Sequence, residues 1–196
     1  GLPFCRVGGF LVDEYLKQEE QKNMITSAHL SGCQVIGNNT QYCLNALERV
    51  IKRFRKFPRH LIRSAEFSSK LIDRMRILGL GGIASEQDEA SSIHETFING
   101  LVVSASSGCN PIPPMKNICS MVSGGLSVAE ALSVYTWSAS WNGGVDQRRG
   151  ELSLGNDADI VVLEQDPYLV KPEETAGIDV TMTLCAGKIV YDSGTL

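Results

Sequence analysis

The chain lacks any apolar run near the roughly 20 residues that a membrane-spanning helix requires; its long apolar stretches are of the size of Ile160-Val161-Val162-Leu163. No membrane association is expected, and the composition is that of a soluble globular chain. It also lacks a C-x-x-C pair and any short Cys/His cluster that could close a zinc finger. The six cysteines, at 5, 33, 43, 109, 119 and 185, are too sparse for a disulfide framework and are expected to be buried free thiols. No segment of 20–50 residues repeats, which argues against a solenoid or propeller. Nor is there an excess of positive charge: Lys+Arg 18 against Asp+Glu 22 leaves a net charge of −4. The opening residues, Gly1-Leu2-Pro3-Phe4, include neither an initiator Met nor a basic stretch leading into an apolar one. No signal peptide is visible in them, and the compartment stays open.

What is present is 196 residues with 43% hydrophobic and 20% charged content, which suits one domain with a small appendage. Residues 13–30, rich in Glu, Gln and Lys, read as an exposed helix closed by Ser31-Gly32. Cys33 to Gly37 follows as a short buried strand. Leu44, Leu47, Ile51 and Phe54 recur at spacings of three and four, so an amphipathic helix is expected over 40–56, stopped before Pro58. A second unit repeats the pattern: a strand at 60–65, then a helix carrying Leu71, Met75 and Leu78. Further strands are expected at 81–85 and 101–106. Short apolar strands alternating with helices of one to three turns define an α/β chain around a parallel sheet. Ser127 and Glu130 form a capping box that starts another helix, with Leu126 placed to staple against Ala131. From Gly150 the pattern turns to strands alone, at 159–163, 180–185 and 188–191, the last two joined by the two-residue Ala186-Gly187 turn.

The segment Gly150-Glu151-Leu152-Ser153-Leu154-Gly155-Asn156-Asp157-Ala158-Asp159 with Ile160 to Leu163 and Asp166-Pro167 resembles the closing segment of metal-dependent amidohydrolases. Pro172-Glu173-Glu174, Ile178 and Val180 to Tyr191 resemble the tail of one group among them, the N-substituted formamide deformylases. Upstream, Arg6 to Phe10, Ile36-Gly37, Ala46-Leu47-Glu48 and Leu126 to Thr136 fall in the order of that group. The resemblance implies a partial or truncated (β/α) barrel over 1–149 and, over 150–196, a β-rich segment of a small composite sandwich. It implies a hydrolase of C–N bonds that uses zinc or another divalent metal.

Carried over position by position, the resemblance departs at the metal site. The family's Lys after its Gly-Gly turn is Leu11; the His three residues before the Gly of Ile-Gly-Asp is Gln34, and that Asp is Asn38. Glu-His-Ala is replaced by Arg63-Ser64-Ala65, and the Asp of Gly-Ser-Asp falls near Ser106. The family's first motif, His-x-His, lies before anything present. A hydrolytic metal needs imidazole and carboxylate donors and a base for its water, which Gln, Ser and Leu do not provide. No metal and no catalytic residue is therefore expected in this chain, and Gln34, Asn38, Arg63, Ser64 and Ser106 are expected to line a cleft for a neutral or anionic small molecule.

His29, His60 and His94 are expected in surface or capping positions. The basic run from Lys52 to His60, five Lys and Arg in nine residues, reads as the solvated face and C-terminal turn of a helix, not as a nucleic-acid site. Gly79-Leu80-Gly81-Gly82 has no following Lys-Ser/Thr and is no phosphate loop. A full β/α barrel takes about 250 residues, so unpaired sheet edges are expected. They predict a homo-oligomer or a partner chain that completes the barrel.

Overall fold

The computed structural model describes residues 9–12, 15–54, 59–85, 90–106 and 113–194. Five strands, β1 (Gly9–Leu11), β2 (Gln34–Asn38), β3 (Leu61–Ser64), β4 (Gly81–Ser85) and β5 (Val103–Ser106), form one parallel sheet in sequential order. The crossovers are α1 (Gln18–Leu30), α2 (Gln41–Arg53), α3 (Ser69–Leu78) and α4 (Ala90–Ile98). This is the α/β class expected, an open run of β/α units whose outermost described strands are β1 and β5.

Local chemistry explains most element boundaries. Thr40 caps α2 by accepting from the Cys43 amide at 3.2 Å, and Ser68 caps α3 through the Leu71 amide. Helix α2 ends at Arg53 because Phe54 is already extended (φ −126°, ψ 119°), short of the 56 expected. Helix α1 begins at Gln18, not 13, where Glu20 accepts from the Lys17 amide. Strand β5 starts two residues later than expected. Leu101 donates to the Thr96 carbonyl and Gly100 to that of Phe97, so this segment is still closing α4.

One face of the sheet carries the core. Val35, Ile62 and Val103 are fully buried there against Leu47 of α2 and Ile72 and Met75 of α3. The approach of α2 is close enough that a Cβ on Gly37 would lie 2.4 Å from Cys43 Sγ. Cys33, Cys43, Cys119 and Cys185 are free thiols; of these Cys43 is buried and Cys185 exposed, while Cys5 and Cys109 lie outside the described residues.

Three more helices follow: α5 (Pro114–Ser123), α6 (Val128–Tyr135) and α7 (Trp137–Asn142). The Ser127–Glu130 capping box starts α6 as expected, and Leu126 and Ala131 are both buried. Helix α7 lies against the opposite face of the parallel sheet. Asn142 is its anchor: Nδ2 donates to the Gly82 carbonyl and to Ser104 Oγ, each at 2.8 Å, and its own carbonyl accepts from Gln34 Nε2. Nearby, Arg59 forks onto Asp146, donates to the Trp141 carbonyl at 2.8 Å and stacks over the Trp141 ring at 4.4 Å. Arg59, expected on a solvated basic face, is thus a tether between β3 and α7. Residues 55–58 of that basic run lie outside the described residues.

The β-rich tail forms a separate antiparallel sheet, β6 (Ile160–Leu163), β7 (Val180–Cys185) and β8 (Lys188–Asp192), in that order. Its hairpin turns through Ala186 (φ 48°) and Gly187 (φ 77°), the two positive φ values of a type I′ turn. Alanine tolerates that conformation because the turn is pinned: Ala186 N donates to Asp159 Oδ1 and Gly187 N to the Ala158 carbonyl. Among the described residues no helix is long and apolar enough to cross a membrane.

The tight seat of Asn142 makes Gly81 sensitive to substitution. A Cβ there would lie 2.0 Å from Asn142 Oδ1 and 2.8 Å from Leu61, whereas one on Gly177 meets nothing within 4 Å. Gly81→Ala is expected to cost about 1–3 kcal/mol and Gly177→Ala less than about 0.5 kcal/mol. Urea midpoints of the two variants compared with the parent check this; equal midpoints would remove Asn142 from its assigned place.

Candidate functional site

In a sheet of parallel strands served by helices, the carboxyl ends of the strands are where ligands bind. The residues at that end whose side chains are described include Asn38 of β2 and Arg63 of β3. Asn38 ends β2, Arg63 is its register partner in β3, and the row continues to Ile83 and Ser104. Because Gly37 points at α2, the period of two puts Gln34, Ile36 and Asn38 on the opposite, barrel-interior face, and register puts Arg63 there as well.

Asn38 Oδ1 accepts from Thr40 Oγ1 at 2.9 Å, which leaves its Nδ2 as the free end of the amide. That nitrogen is buried and has no hydrogen-bond partner among the described residues. Arg63 is exposed, and among the described residues no hydrogen bond or ion pair engages its guanidinium. Ser64 alternates to the helix side and is buried. Its hydroxyl accepts from Asn39 Nδ2 at 3.1 Å and from the Glu66 amide at 3.2 Å, and donates to the Glu66 carbonyl. Such a closed loop shapes the chain leaving β3.

The structure therefore brings Asn38, Arg63 and Ser64 to one end of the sheet. Gln34 faces the interior too, but four residues earlier on β2, about 13 Å along the strand, where its amide is held by the Asn142 carbonyl. Ser106 ends β5 opposite Ser85, at the same end as Asn38, and nothing is described of its side chain. Ser104, two residues before it, is buried and taken up by Asn142. The sequence offered no signal for Asn142, since its contacts bridge 108, 60 and 38 residues of chain.

As metal donors these groups are poor. A guanidinium in the row repels a divalent cation, an amide carbonyl already bound to Thr40 binds it weakly, and the Ser64 hydroxyl is occupied. Among the described residues no group of three or more His, Cys, Asp or Glu side chains is placed to hold a metal ion. The residues described do not fit a divalent metal.

The histidines correct the expectation of surface roles. His29 and His60 are 4% and 2% exposed, with His29 Nδ1 2.8 Å from His60 Nε2. The Val35 amide donates to His60 Nδ1 at 3.0 Å, so the His60 proton sits on Nε2 and is given to His29 Nδ1. Phe54 packs on His29 with ring centroids 5.6 Å apart. The pair lies at the amino end of β3, far from the Asn38–Arg63 row, and ties α1 to the sheet. His94 is half-buried, its ring within 4 Å of where a Cβ on Gly125 would stand.

Sheet order, interior face and β-rich tail together define an amidohydrolase-type fold. Residues 112–191 match the model of a family described as the amidohydrolase family. A 67-residue stretch is 33% identical to the putative amidohydrolase YtcJ of Bacillus subtilis (strain 168), covering 34% of this chain and 13% of that protein. Among solved structures, the chain superposes on an amidohydrolase from Thermotoga maritima MSB8 with a TM-score of 0.68 at 13% identity, over 92% of this chain and 49% of that one. A zinc-bound adenosine deaminase from Xanthomonas campestris gives 0.71 at 14% identity, over 96% and 52%. The tail is similar to the amidohydrolase family and the fold is that of these solved structures, of whose length the chain spans about half.

Burial holds both histidines neutral. It lowers His29, and together with the neighbouring His29 ring it lowers His60 from 6.5 to about 4. The unfolded chain takes up a proton near pH 6.5 that folded His60 refuses until about pH 4. The contribution of His60 is therefore complete above pH 6.5 and is lost as the pH falls from there to about 4. For His60 this amounts to about 3 kcal/mol. In NMR titration, the His60 ring resonances should stay constant from about pH 7.5 to about 5.5; an inflection near the ordinary histidine value would refute the buried pair.

Proposed function

We propose that this chain is a carboxy-terminal part of an amidohydrolase-type barrel, with 1–149 the truncated β/α unit and 150–196 the sandwich segment. It works as a ligand-binding or assembly module without a metal centre of its own. What supports the reading is that Asn38 and Arg63, neither of them a good metal donor, are register partners at the carboxyl ends of β2 and β3, while the resemblance sets Gln34 and Ser64 at the family's histidine positions. Ser106 at the same end and, deeper on the interior face, Gln34 complete the proposed cleft, while Ser64, turned to the helix side, shapes the chain leaving β3 beside it. Hydrogen-bond donors dominate it, which suits a small neutral or anionic molecule over a cation. Purified protein should contain no stoichiometric metal by elemental analysis. Stoichiometric zinc, nickel or manganese that falls when Asn38, Arg63 or Ser64 is replaced would overturn this reading.

A second reading draws on the length relation. The chain spans about half of its solved relatives, and β1 and β5 each lack a neighbour on one side among the described strands. On this reading it is a fragment or subunit of a metal-dependent hydrolase of non-peptide C–N bonds, of the amide or formamide type that its tail resembles. It becomes active only once a preceding segment or a partner chain supplies the remaining strands and first ligands. Both readings imply association through the open edges, whose unpaired backbone groups and exposed Leu11 (59% exposed) favour a partner. Light scattering of the purified chain is expected to give a dimer or larger assembly, and a monodisperse monomer would count against it.

A further inference from the structure

Asparagine is followed by glycine twice in this chain, at Asn99-Gly100 and at Asn142-Gly143. In such a pair the glycine nitrogen reaches the side-chain carbonyl carbon of the asparagine most readily, because no Cβ stands in the way. We infer that the two are modification sites of opposite standing. Asn99 deamidates spontaneously in the folded chain, whereas Asn142 is shielded by its seat on β4 and β5 and deamidates only once α7 leaves the sheet. The co-reactant is water. The glycine nitrogen gives up its proton to solvent base and bonds to Cγ, the Cγ–Nδ2 bond breaks, and the amide nitrogen leaves as ammonia. Water then opens the resulting succinimide at either carbonyl, which leaves aspartate or isoaspartate.

The seat of Asn142 blocks each part of this step. The residue is 3% exposed, and its Nδ2 is tied to the Gly82 carbonyl and to Ser104 Oγ, so its side chain is directed at the sheet and away from the residue that follows. The attacking nitrogen is engaged as well: Gly143 N donates to the Ala139 carbonyl at 2.9 Å in the closing turn of α7. Asn99 is also hydrogen-bonded, through Nδ2 to the Glu95 carbonyl at 2.7 Å, and Gly100 N donates to the Phe97 carbonyl at 2.9 Å. These bonds lie on the last turn of α4, where Ile98, Asn99 and Gly100 are all exposed. The end of a helix opens at far lower cost than a buried seat.

The consequences differ in the same sense. At position 99 a carboxylate replaces an amide in solvent. At position 142 it would face the Gly82 carbonyl, which has no proton to give, and Ser104 would be left to satisfy a buried charge. Isoaspartate would in addition lengthen the backbone of α7 by one carbon. Deamidation at Asn142 therefore converts a reversible departure of α7 into a permanent one.

The test incubates the whole chain in mildly alkaline buffer, with and without urea, and follows both sites by mass spectrometry of their peptides. In the folded chain Asn142 should convert at least about tenfold more slowly than Asn99, the ratio reporting how rarely its seat opens. In urea the two should convert at similar rates. After urea is removed, the refolded fraction should retain Asn at 142 while both states of residue 99 refold, and Asn142→Asp should lower the urea midpoint well below that of Asn99→Asp. Gly143→Ala should slow conversion at 142 in urea and preserve the refolding yield. Equal rates at the two sites in the folded chain, or recovery of the parent midpoint by chains already converted at 142, would overturn the inference.

Discussion

One side chain on a six-residue helix joins three strands across their interior face. Asn142 holds β4 and β5 through its amide and β2 through its carbonyl. A closed barrel stabilises its interior by filling it with side chains from every strand. The five described parallel strands form an open run, and part of their interior face is covered by a helix. Helix α7 does this from the amino side of β2 and β3, and Arg59 fastens it with Asp146 and Trp141. The position has no slack: Gly81 must remain glycine because the Asn142 amide occupies the volume a Cβ would need. Asn142 Oδ1 stays buried with no partner among the described residues, so close packing outweighs full hydrogen bonding here.

This division gives the sheet two unlike ends. At the amino ends, His29, His60, Arg59, Gln34 and Asn142 are spent on tethering helices to strands. Their polar atoms are mostly satisfied within the chain, and the neutrality of the histidine pair is a condition of burial. At the carboxyl ends, an orphan amide donor and an exposed guanidinium face the interior. The first set holds α1 and α7 to the described strands, and the second is the end on which the proposed cleft is built. The β-rich tail forms its own sheet, with its turn held by Asp159 and Ala158 from the strand entrance, while Ile178 packs into the main core.

Much of the fold was legible because its signals are local. The Leu44–Leu47 spacing marks the buried face of α2, and Ser127 with Glu130 marks the first turn of α6. The Ala186-Gly187 pair marks a two-residue hairpin, and each contact involved spans only a few residues. Boundaries shifted where a cap or a closing turn decided them, as at Gln18 and Val103. The histidines were misread for a different reason. His60 follows a run of basic residues and His29 ends a polar helix, so both neighbourhoods suggest solvent. Their burial depends on a contact 31 residues apart in the chain.

The candidate site divides along the same line. The resemblance, read on short motifs, sets Gln34 and Ser64 at two histidine positions of the family, with Asn38 and Arg63 beside them. Whether those groups meet is a matter of register and face. Strand pairing sets Asn38 beside Arg63, the period of two turns Ser64 to the helix side, and Gln34 is drawn to Asn142 because a helix more than a hundred residues away comes to rest there. Local patterns specify which elements form because their free energies are summed over neighbours in the chain. The pairing of distant strands and the seat of α7 arise only when the whole sheet is assembled and its buried polar atoms must find partners.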